Sequence, residues 1–454
     1  MRFPFALTTK IAAHILRNKL MRVKKFATVL QLEPLHTCNL TCTGCGRIRE
    51  YSTSLKNVMP LADCLEAASE CDAPMISICG GEPLIYPHIE ALTAGLLEQG
   101  RIVYLCTNGT KMRAKMRDYL AALHQRQPAL AAARTRELLR ADLLTEEQAR
   151  KITDAPIASG HGHGTQNGTS HETVAAPVMA PSTFFYWNVH LDGLERTHDL
   201  IVEREGVFRE CVAAIRMAKI LGYQVATNTT VYRETDPDEI EALFQYLATL
   251  QVDGHTISPG YDYDAAKRDM VARLGRDPGE FFLTRAMTRQ KFSRAVEWGS
   301  KYPILGTPGY LEFLAGEREL SCSAWAIPTR NVKGWKGPCY LMTDGHFRSY
   351  AELLEKTAWE KLGYRDGQAL DSRCENCMVH CGYEPTAALG LSPLPGDLWK
   401  TLAFTFGPKP KPAHRDIIAF DGVTAGTGHL TGPRPNSVPI ATSCEPCVPA
   451  PTAN

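Results

Sequence analysis

Three cysteines, Cys38, Cys42 and Cys45, lie within eight residues, directly after the apolar run 27–32. Thiols spaced by three and then two residues in a loop can turn their sulfur atoms towards one point, as the ligands of an iron–sulfur cluster do. Three ligands leave one iron open to a small molecule, whereas structural zinc and electron-transfer sites usually take four protein ligands. A zinc knuckle completed by His36 or by a distant cysteine is the alternative that this spacing leaves open.

A second group of cysteines occurs later in the chain. Its five members, with Gly334 between the first two, are Cys322, Cys339, Cys374, Cys377 and Cys381. Five cysteines within about 60 residues, one pair of them spaced CxxC, are rarely core filler. A second iron–sulfur cluster, a structural zinc ion and a set of reduced thiols are the three interpretations left open here.

Short apolar runs alternate along the chain with stretches of helical periodicity. Strands are predicted at about 27–33, 75–79, 102–106, 184–190, 223–229 and 252–258, with helices between them at Leu61–Cys71, His88–Glu98, Val207–Leu221 and Asp238–Leu250. Such alternation is typical of an α/β fold, in which helices cover a parallel sheet. Six strand–helix units predict a partial (βα)6 barrel, and a Cys-rich C-terminal extension follows it.

Unusual polar residues follow each predicted strand, and in a βα barrel that end of the sheet carries the chemistry. The cysteine loop follows the first strand, and the later strands are followed in turn by Gly80-Gly81-Glu82-Pro83, by Cys106 and Asn108, by His190 and Asp192, by Asn228 and by Ser258. The Gly-Gly-Glu-Pro segment is a weak signal alone, because any turn may use it, and we expect Asn108, His190, Asp192 and Asn228 to bind a cofactor. Turn and cap chemistry is the alternative for the last four.

Composition restricts the class of protein and its partners. The chain has 454 residues, 44% of them hydrophobic, and a formal net charge of +1, so no charge bias points to nucleic acid. Clustered cysteines without a secretory leader favour a reducing cytoplasm. No run reaches the 18 to 20 apolar residues of a membrane span. The first 32 residues carry seven basic and no acidic side chains, which predicts either membrane contact on the cytoplasmic face or a helix packed on the domain.

Changes in composition divide the chain into four parts. They are a basic amphipathic segment (1–26), the barrel (27–300), the Cys-rich domain (301–395) and a Pro- and Gly-rich tail (396–454) predicted to be disordered. The barrel contains an insertion at about 111–182, helical at first and then without periodicity.

The CxxxCxxC spacing after the first strand, together with the Gly-Gly-Glu-Pro segment after the second, resembles the radical S-adenosylmethionine (SAM) superfamily. The resemblance implies a 4Fe-4S cluster on Cys38, Cys42 and Cys45, whose open iron binds SAM. It also implies that Gly80 to Pro83 bind the SAM amino group, and that a reducing partner such as flavodoxin or ferredoxin supplies electrons.

Several further segments narrow the resemblance. They are Leu32–Leu35, Val103–Asn108, His190–Leu194, Thr256–Tyr261, Pro328–Asn331 and Cys377–Thr386, and together they resemble the hopanoid-biosynthesis adenosylhopane synthases. This resemblance implies that the adenosyl radical adds to the alkene of diploptene, a C30 polyprenoid, and forms a C–C bond. The insertion and the tail lie outside it, which leaves the substrate less certain than the superfamily.

Addition to the alkene leaves a carbon radical, and the resemblance places Cys106 as the hydrogen donor that quenches it. A small apolar filler inside the barrel is the alternative for this thiol. A hydrocarbon substrate also needs an apolar pocket, for which the candidates are Phe184, Phe185, Tyr186, Trp187, Tyr261, Trp325 and Trp335. Two other functions remain open: a hydrogen-abstracting radical SAM enzyme such as a peptide maturase, and a non-catalytic zinc-binding protein.

Overall fold

A computed structural model describes residues 4–51, 54–154 and 177–407 of the chain. Nine strands form its main sheet: β1 Val29–Glu33, β2 Met75–Ile78, β3 Ile102–Thr107, β4 Phe185–His190, β5 Gln224–Val231, β6 Gly254–Pro259, β7 Thr329–Asn331, β8 Gly334–Pro338 and β9 Thr343–Phe347. Strands β1 to β6 are parallel and lie side by side in sequence order. The predicted α/β fold with a parallel six-stranded barrel is therefore confirmed.

Helices follow the strands and cover the outside of the barrel. The barrel helices are α1 Phe5–Leu20, α2 Arg47–Glu50, α3 Leu61–Cys71, α4 Ile89–Glu98, α5 Met112–Arg126, α6 Pro128–Arg140, α7 Glu146–Thr153, α8 Glu195–Ile201, α9 Val207–Ile220 and α10 Pro237–Thr249. Helices α5 to α7 form the first half of the predicted insertion, and residues 155–176 of its second half lie outside the described residues. Apolar residues between the helices and the sheet form the largest core cluster.

The C-terminal extension continues the barrel sheet, which the sequence prediction of six strands missed. Strand β7 pairs in parallel with β1, and β8 and β9 follow as antiparallel strands. The other elements of this part are α11 Asp264–Asp269, α12 Arg285–Lys291, α13 Ala295–Lys301, α14 Pro308–Ala315, α15 Tyr350–Lys356, β10 Tyr364–Arg365, β11 Gln368–Ala369, α16 His380–Ala388 and α17 Asp397–Phe406. Strand β7 has three residues, too few for its periodicity to be recognised.

Helix α17 also corrects the prediction that residues 396–454 form a disordered tail. Asp397 accepts a hydrogen bond from the Leu394 backbone and pairs with the buried Arg318. Residues 408–454 of the predicted tail lie outside the described residues.

Helix α1 lies against the amino ends of the barrel strands. Leu7 and Ile11 pack against Met75, Ile102 and Tyr104, which lie near the starts of β2 and β3. The helix therefore closes the floor of the barrel, opposite the ends that carry the cysteine loop. Among the residues the structure describes, none of the helices combines the length and apolar character needed to traverse a lipid bilayer.

Four charged side chains connect the cysteine loop to the β7–β9 hairpin. Lys336 of β8 is fully buried and pairs with Glu50 of α2 at 2.9 Å. Arg47 pairs with Glu50 at 2.8 Å and lies 3.6 Å from the buried Glu33. Burial favours neutral Glu33, but Arg47, His36 and Lys336 together lower its pKa to about 2. Two cations and two anions therefore balance inside the protein.

This balance predicts non-additive effects on stability. Replacing Lys336 by Met, or Glu50 by Gln, is expected to lower the free energy of unfolding by about 3–5 kcal/mol, because each change leaves one buried charge uncompensated. The double variant removes one charge of each sign and is expected to cost much less than the sum of the two. Urea unfolding measures all three. The exposed pair Glu352–Lys356 provides the control, since Lys356→Met should change stability by less than about 0.5 kcal/mol. Strictly additive costs would contradict the charge balance.

Candidate active site

A cavity of about 410 Å³ occupies the inside of the barrel. Alternate residues of each strand face it, as the two-residue period of a strand requires. The inward residues are Val29 and Gln31 of β1, Met75 and Ser77 of β2, Tyr104 and Cys106 of β3, Asn188 and His190 of β4, Asn228 and Thr230 of β5, and Thr256 and Ser258 of β6. Most of these side chains carry a polar group, which suits a cofactor better than a close-packed core.

The three thiols of the cysteine loop line this same cavity. Burial raises the pKa of Cys38 to about 12, and burial together with the neighbouring thiols raises the pKa of Cys42. Metal coordination is the ordinary means of holding such buried thiols as thiolates.

Glu203 holds the cysteine loop from outside the cavity. Its carboxylate accepts hydrogen bonds from the hydroxyls of Thr41 and Thr43 at 3.1 and 2.8 Å, and Arg273 pairs with it at 2.6 Å. The sequence analysis missed Glu203, because it lies 160 residues beyond the loop in a segment without a motif.

The shape of the loop fits a cluster better than a single ion. In the described part of the chain, no group of three or more His, Cys, Asp or Glu side chains is arranged to hold one metal ion. Each cysteine of a four-iron cluster binds a different iron, so the sulfur atoms need not converge on one centre. His36, the candidate fourth zinc ligand, is fully buried and directs Nε2 to Glu33 at 3.3 Å. His36 is not among the residues that line the cavity with the thiols.

Gly80 and Gly81 allow two backbone segments to meet. A Cβ on Gly80 would lie 2.3 Å from the Leu35 carbonyl oxygen, and one on Gly81 would lie 2.1 Å from that of Thr37. The close approach that these glycines permit is thus to the backbone just before Cys38. The backbone of Gly81 donates to Leu35 and that of Glu82 donates to Thr37, so the Gly-Gly-Glu-Pro segment positions the cysteine loop. Gly80, Gly81 and Glu82 also line the cavity, whereas Pro83 does not.

Glu82 and Asn108 form a hydrogen-bonded link at the edge of the cavity. The Glu82 carboxylate accepts from the Thr107 hydroxyl and from the Asn108 and Leu84 backbones, at 2.8 to 3.0 Å. Burial raises the Glu82 pKa to about 6. The Asn108 amide lies 3.8 Å from the Cys38 sulfur and donates to Asn39 at 2.9 Å. These contacts connect the two motifs directly.

His190, Asp192 and Asn228 all line the cavity. His190 donates to the buried Asp192; burial lowers the pKa of His190, but Asp192 outweighs this effect and raises it. Asp192 also accepts a hydrogen bond from the Thr230 backbone N–H at 2.7 Å. This contact is of the turn and cap type that the sequence analysis named as the alternative to cofactor binding. Asn228 differs, because its buried Oδ1 has no hydrogen-bond partner among the described residues.

Asn188 is a cavity residue that the sequence analysis missed. Its amide donates to the Cys106 sulfur at 3.3 Å, and its buried Oδ1 has no partner among the described residues. Asn188 and Asn228 therefore both line the cavity, and each carries a buried amide oxygen that has no partner among the described residues. The only sequence signal for Asn188 is one polar residue within an aromatic strand.

Cys106 lies on the cavity wall between two polar groups. Its sulfur is 3.4 Å from the Ser77 hydroxyl and 3.3 Å from the Asn188 amide nitrogen. Burial raises the pKa of Cys106, so its S–H bond is intact at neutral pH. Cys79, directly after β2, lines the cavity as well.

The apolar part of the cavity comes from the C-terminal half of the chain. Its aliphatic wall consists of Leu305, Leu311, Ile327, Leu341 and Val379. Of the aromatic residues predicted to line a pocket, Tyr261 does so. Phe185, Trp187 and Trp335 lie in the core between helices and sheet, Phe184 and Tyr186 pack at the floor, and Trp325 packs near Phe26. The prediction that Phe185 and Trp187 line the pocket was wrong, because both occupy positions of β4 whose side chains point out of the barrel.

The five C-terminal cysteines gather beside this wall. The thiol of Cys339 is electrostatically coupled to those of Cys322, Cys374, Cys377 and Cys381. Gly363 packs so closely on Cys322 that an added Cβ would lie 2.6 Å from that of the cysteine, and its backbone N–H donates to the Cys374 sulfur at 3.3 Å. The fold thus brings together residues up to 59 positions apart.

Two family models match segments of the chain that contribute residues to this cavity. The family model described as the radical SAM superfamily matches residues 32–131, which include the cysteine loop, Gly80 to Pro83 and Cys106. Over these residues the chain is similar to radical SAM proteins. This similarity implies a 4Fe-4S cluster and SAM as cofactors, and the three thiols that line the cavity fit such a cluster. A second family model, a domain of unknown function (DUF3463), matches residues 255–401.

Individual proteins are similar to parts of this chain. A 7-carboxy-7-deazaguanine synthase of Neisseria meningitidis is 37% identical over 87 residues, which are 19% of this chain and 39% of that protein. Streptococcus suis SuiB bound to SAM has a TM-score of 0.43 at 13% identity, over 71% of this chain and 62% of that one. The SAM-bound anSMEcpe has a TM-score of 0.45 at 14% identity, over 83% and 96%. The chain thus spans about two fifths of the curated relative it matches.

Proposed function

We propose that this chain is a radical SAM enzyme that joins the 5'-deoxyadenosyl group of SAM to the alkene of diploptene and so forms adenosylhopane. The observation that carries the proposal is the position of the Cys106 thiol on the wall of the cavity that also contains the cysteine loop. When bound, the 4Fe-4S cluster supplies the electron that cleaves SAM reductively to methionine and the adenosyl radical. The residues of the chain then decide where this radical reacts and how the reaction ends.

The two sides of the cavity suit the two reactants. The polar inner face, with the free oxygens of Asn188 and Asn228, suits the adenosine and methionine groups of SAM. The aliphatic wall of Leu305, Leu311 and Ile327 suits a hydrocarbon skeleton, which needs many apolar contacts and few polar anchors. The alkene then lies between the two, within the barrel and away from bulk water.

Cys106 completes the reaction by hydrogen transfer. Addition of the radical to the terminal CH2 forms the new C–C bond and leaves a tertiary carbon radical. Because an S–H bond is weaker than a tertiary C–H bond, the Cys106 hydrogen passes to this carbon, which leaves a sulfur radical. One electron and one proton restore the thiol, and a small redox protein such as flavodoxin or ferredoxin would supply the electron. The fixed wall position of Cys106 delivers hydrogen to one face of the carbon.

Product analysis tests the proposal. Reconstituted protein is incubated anaerobically with dithionite, SAM and diploptene, and mass spectrometry follows lipids and nucleosides. We expect a C30 lipid covalently joined to adenosine. Formation of 5'-deoxyadenosine with unchanged lipid would instead indicate hydrogen abstraction from another substrate, as in a peptide maturase. Intact SAM and protein without iron would indicate a non-catalytic zinc-binding protein.

We further propose that four of the C-terminal cysteines hold a second iron–sulfur cluster. The Gly363 backbone N–H donates to the Cys374 sulfur at 3.3 Å. Burial raises the pKa of Cys322, Cys339 and Cys377, and it outweighs the backbone N–H groups of neighbouring residues, which act to lower the pKa of these three thiols. Backbone donors stabilise cluster-bound sulfur and adjust its reduction potential. Four protein ligands close the cluster, so its role is electron transfer rather than SAM binding.

Metal content distinguishes the three interpretations of these cysteines. We expect about eight iron atoms per chain in the reconstituted protein and about four in Cys374→Ala, since a four-iron cluster is lost. Cys381→Ala is the matched control and should retain all the iron, because the backbone N–H that acts against burial to lower the pKa of Cys381 is its own and not that of another residue. Zinc in place of the second iron set would indicate a structural zinc site. Four iron atoms in both the parent and Cys374→Ala would indicate reduced thiols.

A further inference from the structure

Helices α1 and α17 both expose apolar side chains to solvent. On α1, Phe5, Leu16 and Leu20 are exposed, with Phe5 at 71% and Leu20 at 74%; on α17, Trp399 is exposed at 74%. Exposed faces of surface helices are ordinarily polar, and contiguous apolar patches on a protein surface mark interaction sites. We therefore expect a binding partner to cover these apolar faces.

The two faces form one surface. The rings of Phe5 and Phe406 lie 6.2 Å apart, and Lys19 donates to the Leu389 carbonyl oxygen, so α1 runs alongside the segment that leads into α17. We name this the α1–α17 surface. Its exposed apolar residues are Phe5, Leu16, Leu20, Met21, Val23, Leu391, Leu394, Leu398, Trp399, Leu402 and Phe406.

Basic residues border the same surface. Arg22, Lys24 and Lys25 follow α1 directly and are exposed. Two acidic residues near this surface are paired with arginines: Asp72 with Arg17 and Arg101, and Asp397 with Arg318. The surface is therefore apolar in the centre and positively charged at one end.

We propose that the α1–α17 surface docks on an anionic lipid bilayer. Leucine and aromatic side chains on a helix face beside a cluster of lysine and arginine are the composition of helices that lie in the membrane interface. A tryptophan at the edge of such a face suits the headgroup region. The proposal rests on the surface alone and does not depend on the reaction proposed above.

Charge argues against the two other candidates for this surface. In a two-fold symmetric pair of chains, the basic end of each surface would lie against the other end of its partner's surface, which offers apolar side chains and, among the described residues, no anionic partner for the lysines. The segment 408–454 carries four basic residues (Lys409, Lys411, Arg415 and Arg434) and three acidic ones (Asp416, Asp421 and Glu445). It therefore has no net negative charge with which to pair.

Vesicle flotation tests the proposal with full-length protein. We expect binding to vesicles of phosphatidylcholine with about 30% phosphatidylglycerol, weaker binding to phosphatidylcholine alone, and a decrease with added salt. Lys24→Glu with Lys25→Glu, and separately Leu16→Ser with Leu20→Ser, should each weaken binding at least about tenfold. Leu130→Ser, which changes an exposed leucine on α6, is the matched control and should bind as the parent does.

Three results would overturn the proposal. The first is no binding to anionic vesicles, and the second is binding that neither double variant changes. The third is another occupant of the surface: a dimer in sedimentation analysis that Leu16→Ser with Leu20→Ser dissociates, or vesicle binding that appears only after residues 408–454 are removed. Circular dichroism of each variant verifies that the fold is retained.

Discussion

Replacement of Cys106 by serine is expected to stop formation of the adenosylated lipid while SAM is still cleaved. Serine preserves the size of the side chain and can bond to Ser77 and Asn188, but its O–H bond is too strong to give hydrogen to a carbon radical. We expect the yield of the parent epimer to fall at least about tenfold, measured by chiral chromatography and mass spectrometry of the lipid. Cys106→Ala should behave in the same way, since both lack the S–H group.

The control for this experiment is another buried cysteine. Cys64 on α3 is fully buried and does not line the cavity, so Cys64→Ala should retain the lipid product and its stereochemistry. Parent-like yield and stereochemistry in Cys106→Ser would refute hydrogen donation by Cys106. SAM cleavage measured in the same samples separates loss of quenching from loss of the cofactor site.

Replacement of Cys38, Cys42 or Cys45 by alanine is expected to remove the cluster at the cysteine loop. Each change deletes one of three ligands, and loss of residues that merely support metal ligands already costs about 10- to 100-fold. We therefore expect SAM cleavage to fall more than about 100-fold, together with a loss of about four iron atoms per chain. Iron assay and product chromatography of the same preparations measure both effects.

Cys71→Ala is the matched control for the loop variants. Cys71 is a buried residue of α3 and belongs to the core cluster against which Cys38 and Cys42 pack. It does not line the cavity. Its variant should keep full iron content and SAM cleavage. A contrary result would be a loop variant that keeps its iron together with a Cys374→Ala variant that loses all of its iron. It would mean that the C-terminal cysteines, and not the cysteine loop, hold the iron.

The six barrel strands could be predicted from the sequence because strands buried on both faces appear as continuous apolar runs. Strand β3, Ile102–Thr107, is such a run, and its end carries Cys106. The motifs at the strand ends were equally visible, since Gly80, Gly81 and the cysteine triad have characteristic spacing. These signals are local, so one sequence is sufficient to show them.

The features that escaped prediction depend on contacts between distant segments. Asn188 has no motif, and its role follows from the register that places it opposite Cys106. Glu203 acts on a loop 160 residues earlier. The aliphatic wall comes from loops and helices of the C-terminal half, whereas the aromatic residues chosen on chemical grounds mostly point outward into the core. Successive side chains of a strand point to opposite faces, so the position of a residue along its strand decides whether it faces the cavity or the outer core. Composition does not reveal that position.

The pairing of β1 with β7 has a consequence for how the protein is made. Gln31 of β1 lies opposite Thr329 of β7, 298 residues later. At a synthesis rate of about 5–20 residues per second, roughly 15 to 60 s pass between the two. During that interval β1 can pair with β2 but has no neighbour on its other edge. Chains that stop before residue 329 therefore lack this neighbour of β1, and we expect them to be degraded faster than the full chain.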